Sequence, residues 1–323
     1  MRAVVVQEFG PPESLTVEDH PEPEPGPGQV RIRVEAAGVN YVDAIIAGGS
    51  YQITPSLPYV PGSEVAGIVD AVGDGVDSPV VGDRVLASCG FGGFAEAVVV
   101  KAGQALGVPE GVGPAIAATV IQSYATGLFA LERRAALAEG ETLLVLGAGG
   151  GVGLAAVDLG RALGARVIGA ASSAAKRDAA LAAGAEAVID YTTEDLKARA
   201  RELAGGTGVD VVYDPIGGDL AEPAIRALGD FGRYLVVGFV GGIPKVPTNQ
   251  ILLRNRAVVG VEWGGWAIFH PDENAALMQR LLDLLGSGTL HPATPVSYSL
   301  EESPQVLADL VARNLTGKAV LVP

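Results

Sequence analysis

Residues 142–156 read TLLVLGAGGGVGLAA, and the order of their parts decides the fold. Thr142 and four aliphatic residues come first, and five glycines follow within 147–153. Beyond them Val152, Ala155, Ala156, Leu159 and Leu163 recur at helical spacing. A slack linker would be polar and would not join a strand directly to a helix. Strand, glycine turn and helix form the context in which bare backbone receives a phosphate. Ala148, Gly150 and Gly153 fill the three positions of a G-x-G-x-x-G pattern, with alanine first. There Gly150 lets the backbone approach a pyrophosphate, and Gly153 lets the helix press on the strand. Unpaired amides at the helix start, at Gly151 and Val152, supply the partial positive charge. Glycines kept only for tight packing are the alternative.

Outward from this turn the rhythm of strand, helix and strand continues. Apolar runs at 165–171, 185–190, 209–214, 233–239 and 257–263 are joined by helix-length segments. With 142–146 they make six short strands, the pattern of a doubly wound parallel sheet. A helix is expected over 273–285 and a last strand in KAVLVP. Before residue 110 the texture differs. Short β-like runs at 30–39, 64–73, 82–88 and 94–100 alternate with Gly and Pro, and Val30, Ile32 and Val34 alternate with polar residues. That suggests half-buried strands of a compact barrel-like domain. PEPEPGPGQ (21–29) reads as an extended surface connection. The expected division is 1–121, 122–262, and a segment 263–323 that returns to the first domain.

In NAD-binding sheets an Asp or Glu about 20 residues past the glycines grips the ribose 2′-hydroxyl. Here Ser172 stands at that point, and no acid occurs from Ala165 to Arg177. A carboxylate would repel a 2′-phosphate, whereas a small hydroxyl and Lys176 favour it, so NADPH is expected over NADH. Tyr191, after the next strand, could flank the same pocket. A solvated helix face is the plainer reading of Lys176 and Arg177.

The net charge of -15 argues against nucleic acid, because phosphate tracking needs clustered Lys and Arg. No run approaches ~20 apolar residues, so no membrane span is expected. The lone Cys89 fits a reducing compartment, and the reading is cytoplasmic.

The chain resembles the medium-chain dehydrogenase/reductase superfamily, specifically its zinc-free quinone oxidoreductase (zeta-crystallin-like) branch. The resemblance rests on AAGVNYVDAIIAGGSY, PGSEVAGIVDAVGDGV, GDRV, GGFAE, LGAGGGVGLAAVDLGRALGARVI, AGAEAVIDY, VDVVYDPIGG and TGKAVLVP, which span essentially the whole sequence. It implies a GroES-like β-barrel catalytic domain around a Rossmann domain, a cofactor in the cleft and a homodimer. Where zinc alcohol dehydrogenases carry a catalytic cysteine and the His of GHE, this chain has Asn40 and Ser63. Three histidines and one cysteine cannot build that three-ligand site in that form, so no metal is expected. Glu64 is then read as structural.

By the same resemblance Asn40 and Tyr51 line the acceptor site, while Ile45 replaces a second tyrosine and leaves a more apolar pocket. The plain alternatives are a turn residue for Asn40 and a half-buried surface aromatic for Tyr51. Thr126 and Ser123, in QSYATG, match the segment passing the nicotinamide, a helix-start hydroxyl being the alternative. Backbone at Phe239, Val240 and Trp263 is expected to hold the nicotinamide amide. Trp263 and Trp266 could wall a flat acceptor or fill an interface, and Lys318 is read as solvated, with cofactor contact the alternative. The expected activity is hydride transfer from NADPH to a quinone or similar enone. The rivals are an enoyl or alkenal reductase, whose acyl-CoA form would set basic residues such as Lys245, Arg254 and Arg256 at its mouth, and a non-catalytic NADPH-binding protein.

Overall fold

All six strands expected in the second half form one sheet in the computed structural model, which describes residues 1–323. Their spatial order is Ala187–Asp190, Arg166–Ala171, Thr142–Leu146, Val209–Asp214, Leu228–Val236 and Ala257–Gly260. Every neighbouring pair is parallel. The direction of winding reverses between Thr142–Leu146 and Val209–Asp214, so the glycine turn lies at the switch point, where such sheets bind ligands. All five residues of Thr142–Leu146 are buried, as befits a central strand covered on both faces. Leu144, Leu146, Ile168, Ile189, Val212, Ile225 and Tyr234 belong to one buried cluster on this sheet.

The other half builds a seven-stranded, mainly antiparallel sheet around the long strand Gln29–Val39. Val30, Ile32 and Val34 are buried as their alternation predicts, and join Val65, Phe94 and Leu307 in a separate core. The last strand, Ala319–Val322, pairs antiparallel with the end of Gln29–Val39, setting Ala319 against Val39. That register brings residue 318 beside residue 40.

The chain divides into Met1–Gln122 with Thr294–Pro323, and Ser123–Ala293. The stretch 263–293 therefore departs from the reading that sent all of 263–323 back to the first domain. Its helix Pro271–Gly286 buries Met278, Leu281, Leu284 and Leu285. Past that helix, the buried Asp158 of helix Gly151–Ala162 accepts the His291 N–H at 2.7 Å. Only the last thirty or so residues rejoin the first unit.

Candidate functional site

In the second unit the glycine turn is built as a cradle. Gly147 has φ +62°, and its carbonyl accepts the Gly150 N–H at 2.9 Å. Gly150 caps helix Gly151–Ala162, whose first turn carries no acid. The first intrahelical bond runs from Leu154 N to Gly150 O, so the amides of Gly151, Val152 and Gly153 come before the ladder begins. A Cβ on Gly153 would stand 2.1 Å from Gly147 O, whereas one on Gly150 would meet only Gly147 O, at 3.5 Å. Gly153 is thus required by packing, and Gly150 keeps open space beside the helix start. These features fit a pyrophosphate.

The next strand end sets a hydroxyl and a lysine near the same turn. Ser172 is exposed, and Ser173 caps helix Ala174–Ala182 by accepting Lys176 N. A Cβ on Gly149 would fall 2.4 Å from Lys176 Cβ, so the lysine's stem lies directly against the glycine turn. Asp190, ending the neighbouring strand, is paired with Arg177 at 2.8 Å, and hydrogen bonds from Thr192 help hold it ionised. Arg177 thereby offsets a carboxylate near the strand ends. Tyr191 is half-buried against the sheet core.

Sequence reasoning missed Asp214. This carboxylate, 1% exposed, accepts Ile216 N–H at 2.7 Å and Gly217 N–H at 2.8 Å, and its other oxygen takes the Tyr234 hydroxyl. Burial raises its pKa, against the pull of those hydrogen bonds. The loop it pins is zipped to the loop bearing Phe239 and Val240 by Gly218 N to Gly242 O and Gly241 N to Ile216 O, both 2.7 Å. An acid ending an apolar strand before PIGG was the available signal.

Several other expectations change. Thr126 is no helix-start hydroxyl: residues 121–134 are continuously helical, with π-helical turns on both sides of Thr126–Leu128. The Ser123 hydroxyl is buried without a partner. Trp263 is buried and donates to Asn274 Oδ1 at 3.0 Å, a core role for its side chain. Trp266 stacks on His270 and meets Phe129 at a tilt, under the Arg133 guanidinium, within the second unit's own aromatic group. Arg256 is buried and gives its hydrogen bonds to the carbonyls of Gly229, Gln250, Arg226 and Leu228, and Arg254 pairs with Asp230. Of the three basic residues weighed for a CoA thioester, Lys245 lines a cavity. That space, about 740 Å³, is of mixed charge, with Lys197, Arg226, Asp195, Asp219 and Glu222 on its wall.

In the first unit Asn40 stands between strand Gln29–Val39 and helix Tyr41–Ala47, which it caps. Its N–H donates to Asp43 Oδ2 at 2.8 Å, and its Nδ2 donates to Glu64 Oε1 at 3.0 Å. Lys318, read above as solvated, is instead largely buried. Its Nζ donates to Asn40 Oδ1 at 2.5 Å, Glu64 Oε1 at 3.0 Å and Val39 O at 3.3 Å. Glu64 Oε2 accepts Gln122 N–H at 2.9 Å, so this acid joins four chain segments. Burial pushes the Asp43 carboxyl up to about 7, against the Asn40 N–H, the Ser63 hydroxyl and Lys318. Tyr51 follows the helix and is 38% exposed. Cys89 holds its sulfur 3.3 Å from Gly62 O, and burial pushes its thiol up, away from reactivity. No three His, Cys, Asp or Glu side chains are arranged so that they could hold a metal ion.

Comparison with known proteins agrees along the whole length. Residues 26–110 match the family described as alcohol dehydrogenase GroES-like domain, and residues 151–283 match zinc-binding dehydrogenase. The quinone oxidoreductase-like protein 2 homolog of Nematostella vectensis is 37% identical, covering 99% of this chain and 88% of that one. The quinone oxidoreductase of Homo sapiens is 32% identical, covering 100% and 98%. The crystal structure of Escherichia coli quinone oxidoreductase complexed with NADPH superposes with a TM-score of 0.90 at 30% identity, covering both chains fully. With its glycine cradle in a parallel sheet, its GroES-like first unit and these relatives, the chain belongs to the medium-chain dehydrogenase/reductase superfamily, in its quinone oxidoreductase branch.

Proposed function

We propose that this protein is an NADPH-dependent oxidoreductase that passes a hydride to a quinone or a similar conjugated carbonyl without a metal. The observation that carries the reading is the helix start at Gly150–Gly153, free of acid, with the Lys176 stem packed on the same turn. NADPH, when bound, supplies the hydride. The chain's residues hold it: the amides of Gly151 and Val152 at the pyrophosphate, and Ser172, Lys176 and Tyr191 at the 2′-phosphate. Thr126 and the backbone at Phe239, Val240 and Trp263 line the nicotinamide, and the loop bearing Phe239 and Val240 is tied to the one that Asp214 pins. Asn40 and Tyr51 border the acceptor. A quinone needs little further help, because it is already electrophilic and its reduced oxygens take protons from water.

A panel of quinones, enals and enoyl thioesters, read as NADPH oxidation, tests this. Quinones should be reduced fastest. Preference for an enal or enoyl thioester would assign a double-bond reductase, and cofactor binding without turnover a pure binder.

Cofactor choice should follow the strand end. Ser172→Asp sets a carboxylate where the 2′-phosphate is placed, and should weaken NADPH at least ~10-fold relative to NADH. Dissociation constants for both cofactors check this, and an unchanged ratio would move the phosphate elsewhere.

We further propose a cytoplasmic homodimer. Strand Ala257–Gly260 is the last of its sheet and pairs only with Leu228–Val236; Arg134 donates to the Gly260 carbonyl, and Val258 is exposed. Such an edge is a template for a second strand. Val258→Lys should convert dimer to monomer in sedimentation equilibrium, and an unaltered mass would place the contact elsewhere. No helix is long and apolar enough to cross a membrane.

A further inference from the structure

Glu64 has no exposed surface, yet it is surrounded by donors: Lys318 Nζ and Asn40 Nδ2 on one oxygen, Gln122 N–H on the other. Lys318 likewise has three acceptors, as many as an ammonium has protons. Between the two stands the Asn40 carboxamide. Its oxygen faces the ammonium and its nitrogen faces the carboxylate. A flipped amide would set like against like at both ends, so two opposite charges fix one orientation. Asp43 is buried next to this group and takes the Asn40 N–H, which makes two acids and one cation in a single cluster.

The balance of charge bears on the chemistry. A hydride brings an electron pair to the acceptor, and fixed negative charge nearby opposes its arrival. Without the ammonium, the wall behind Asn40 would hold an unpaired buried carboxylate, and the carboxamide would lose the partner of its oxygen. Arginine is a poor substitute, because a flat fork cannot match three acceptors gathered round one point.

We propose that Lys318 is a positioning residue for the reaction, an internal counter-cation that locks the Asn40 carboxamide and cancels the charge of Glu64. The proposal rests on the reading that the acceptor is reduced beside Asn40. Lys318 touches neither acceptor nor cofactor in this role; it acts through its two partners.

The test uses the intact protein with NADPH and the best quinone of the panel. Lys318→Met should bind NADPH within ~2-fold of the wild type, while kcat falls about 100-fold. Lys318→Ala removes three carbons and the ammonium, so propylammonium should restore at least ~10-fold in kcat. Tetramethylammonium, which has no N–H, should restore none. If Lys318→Met fails to fold, Glu64→Gln combined with Lys318→Met removes both charges at nearly constant volume. That double variant should fold, with kcat still at least ~10-fold below the wild type because the carboxamide has lost the ammonium that fixes it, and wild-type kcat in it would overturn the proposal. Wild-type kcat in a folded Lys318→Met would overturn the proposal. So would propylammonium that raises the thermal midpoint of Lys318→Ala without raising kcat, because that pattern assigns a purely structural role. A wild type that oxidises no NADPH with any acceptor would instead sink the functional reading beneath it.

Discussion

Gly153→Ala is expected to lose NADPH binding and stability together, while Gly150→Ala should lose binding alone. The two glycines stand three residues apart in one motif, yet their surroundings differ. An added Cβ on Gly153 would lie 2.1 Å from Gly147 O, 2.8 Å from Gly147 C and 3.0 Å from Ala148 Cα. These are backbone atoms of the turn itself, and the turn cannot retreat. Behind Gly147 the Ile216 side chain is already close, since a Cβ there would stand 2.8 Å from Ile216 Cδ1. The helix must therefore lift off the strand, which exposes apolar surface and misaims the amides of Gly151 and Val152. A loss of at least ~100-fold in NADPH affinity and about 2–3 kcal/mol of stability follows. At Gly150 the backbone has φ -93° and ψ 169°, which alanine adopts freely, and the new methyl meets only Gly147 O at 3.5 Å. The fold should tolerate it, within ~0.5 kcal/mol. The methyl would occupy the approach that a pyrophosphate needs, and affinity should fall about 30-fold. Cofactor fluorescence titration beside thermal unfolding separates the two. Wild-type affinity in Gly150→Ala would mean that no diphosphate rests on this helix.

What was legible in the sequence divides along the range of the interactions. Periodicity and turn chemistry act over a few residues, and they found all six parallel strands, the glycine turn and the buried face of Gln29–Val39. Boundaries moved where tertiary contact decides them. The strand expected at 233–239 begins at Leu228, where pairing with Val209 extends it. Lys318 was out of reach for the same reason: its partner Asn40 is 278 residues away, and only the pairing of Ala319 with Val39 brings them together. Nothing local distinguishes a lysine in TGKAV from a solvated one. Arg256 and Arg254 look alike in sequence, yet one is spent on buried carbonyls and the other pairs at the surface. Helix Pro271–Gly286 was found, but its allegiance was not, because an apolar stripe does not name the surface that covers it.

Asp43→Asn should stabilise the protein at neutral pH and flatten its dependence on pH. Asp43 is 2% exposed, and burial is the main reason its carboxyl is pushed up from the usual 3.8 to about 7. Lys318 and two hydrogen bonds favour the ionised form, Glu64 opposes it, and desolvation prevails. The sign follows from proton binding. Between pH 4 and 7 the folded chain keeps the proton on Asp43 and the unfolded chain has released it, so stability falls as pH rises. Each pH unit in that window costs about 1.4 kcal/mol, close to 4 kcal/mol across it, and the loss levels off above pH 7. Asparagine keeps an oxygen for the Asn40 N–H, and its NH2 group can donate to the Ser63 hydroxyl, but it never ionises. Asp214, also raised by burial, keeps a slope of the same sign in both proteins. The difference between variant and wild type therefore isolates Asp43. In denaturant unfolding at half-unit intervals from pH 4 to 8, that difference should climb in the variant's favour up to about pH 7 and then stay constant. A difference that is flat throughout would mean that Asp43 is already ionised in the fold at pH 4, with Lys318 outweighing the loss of water.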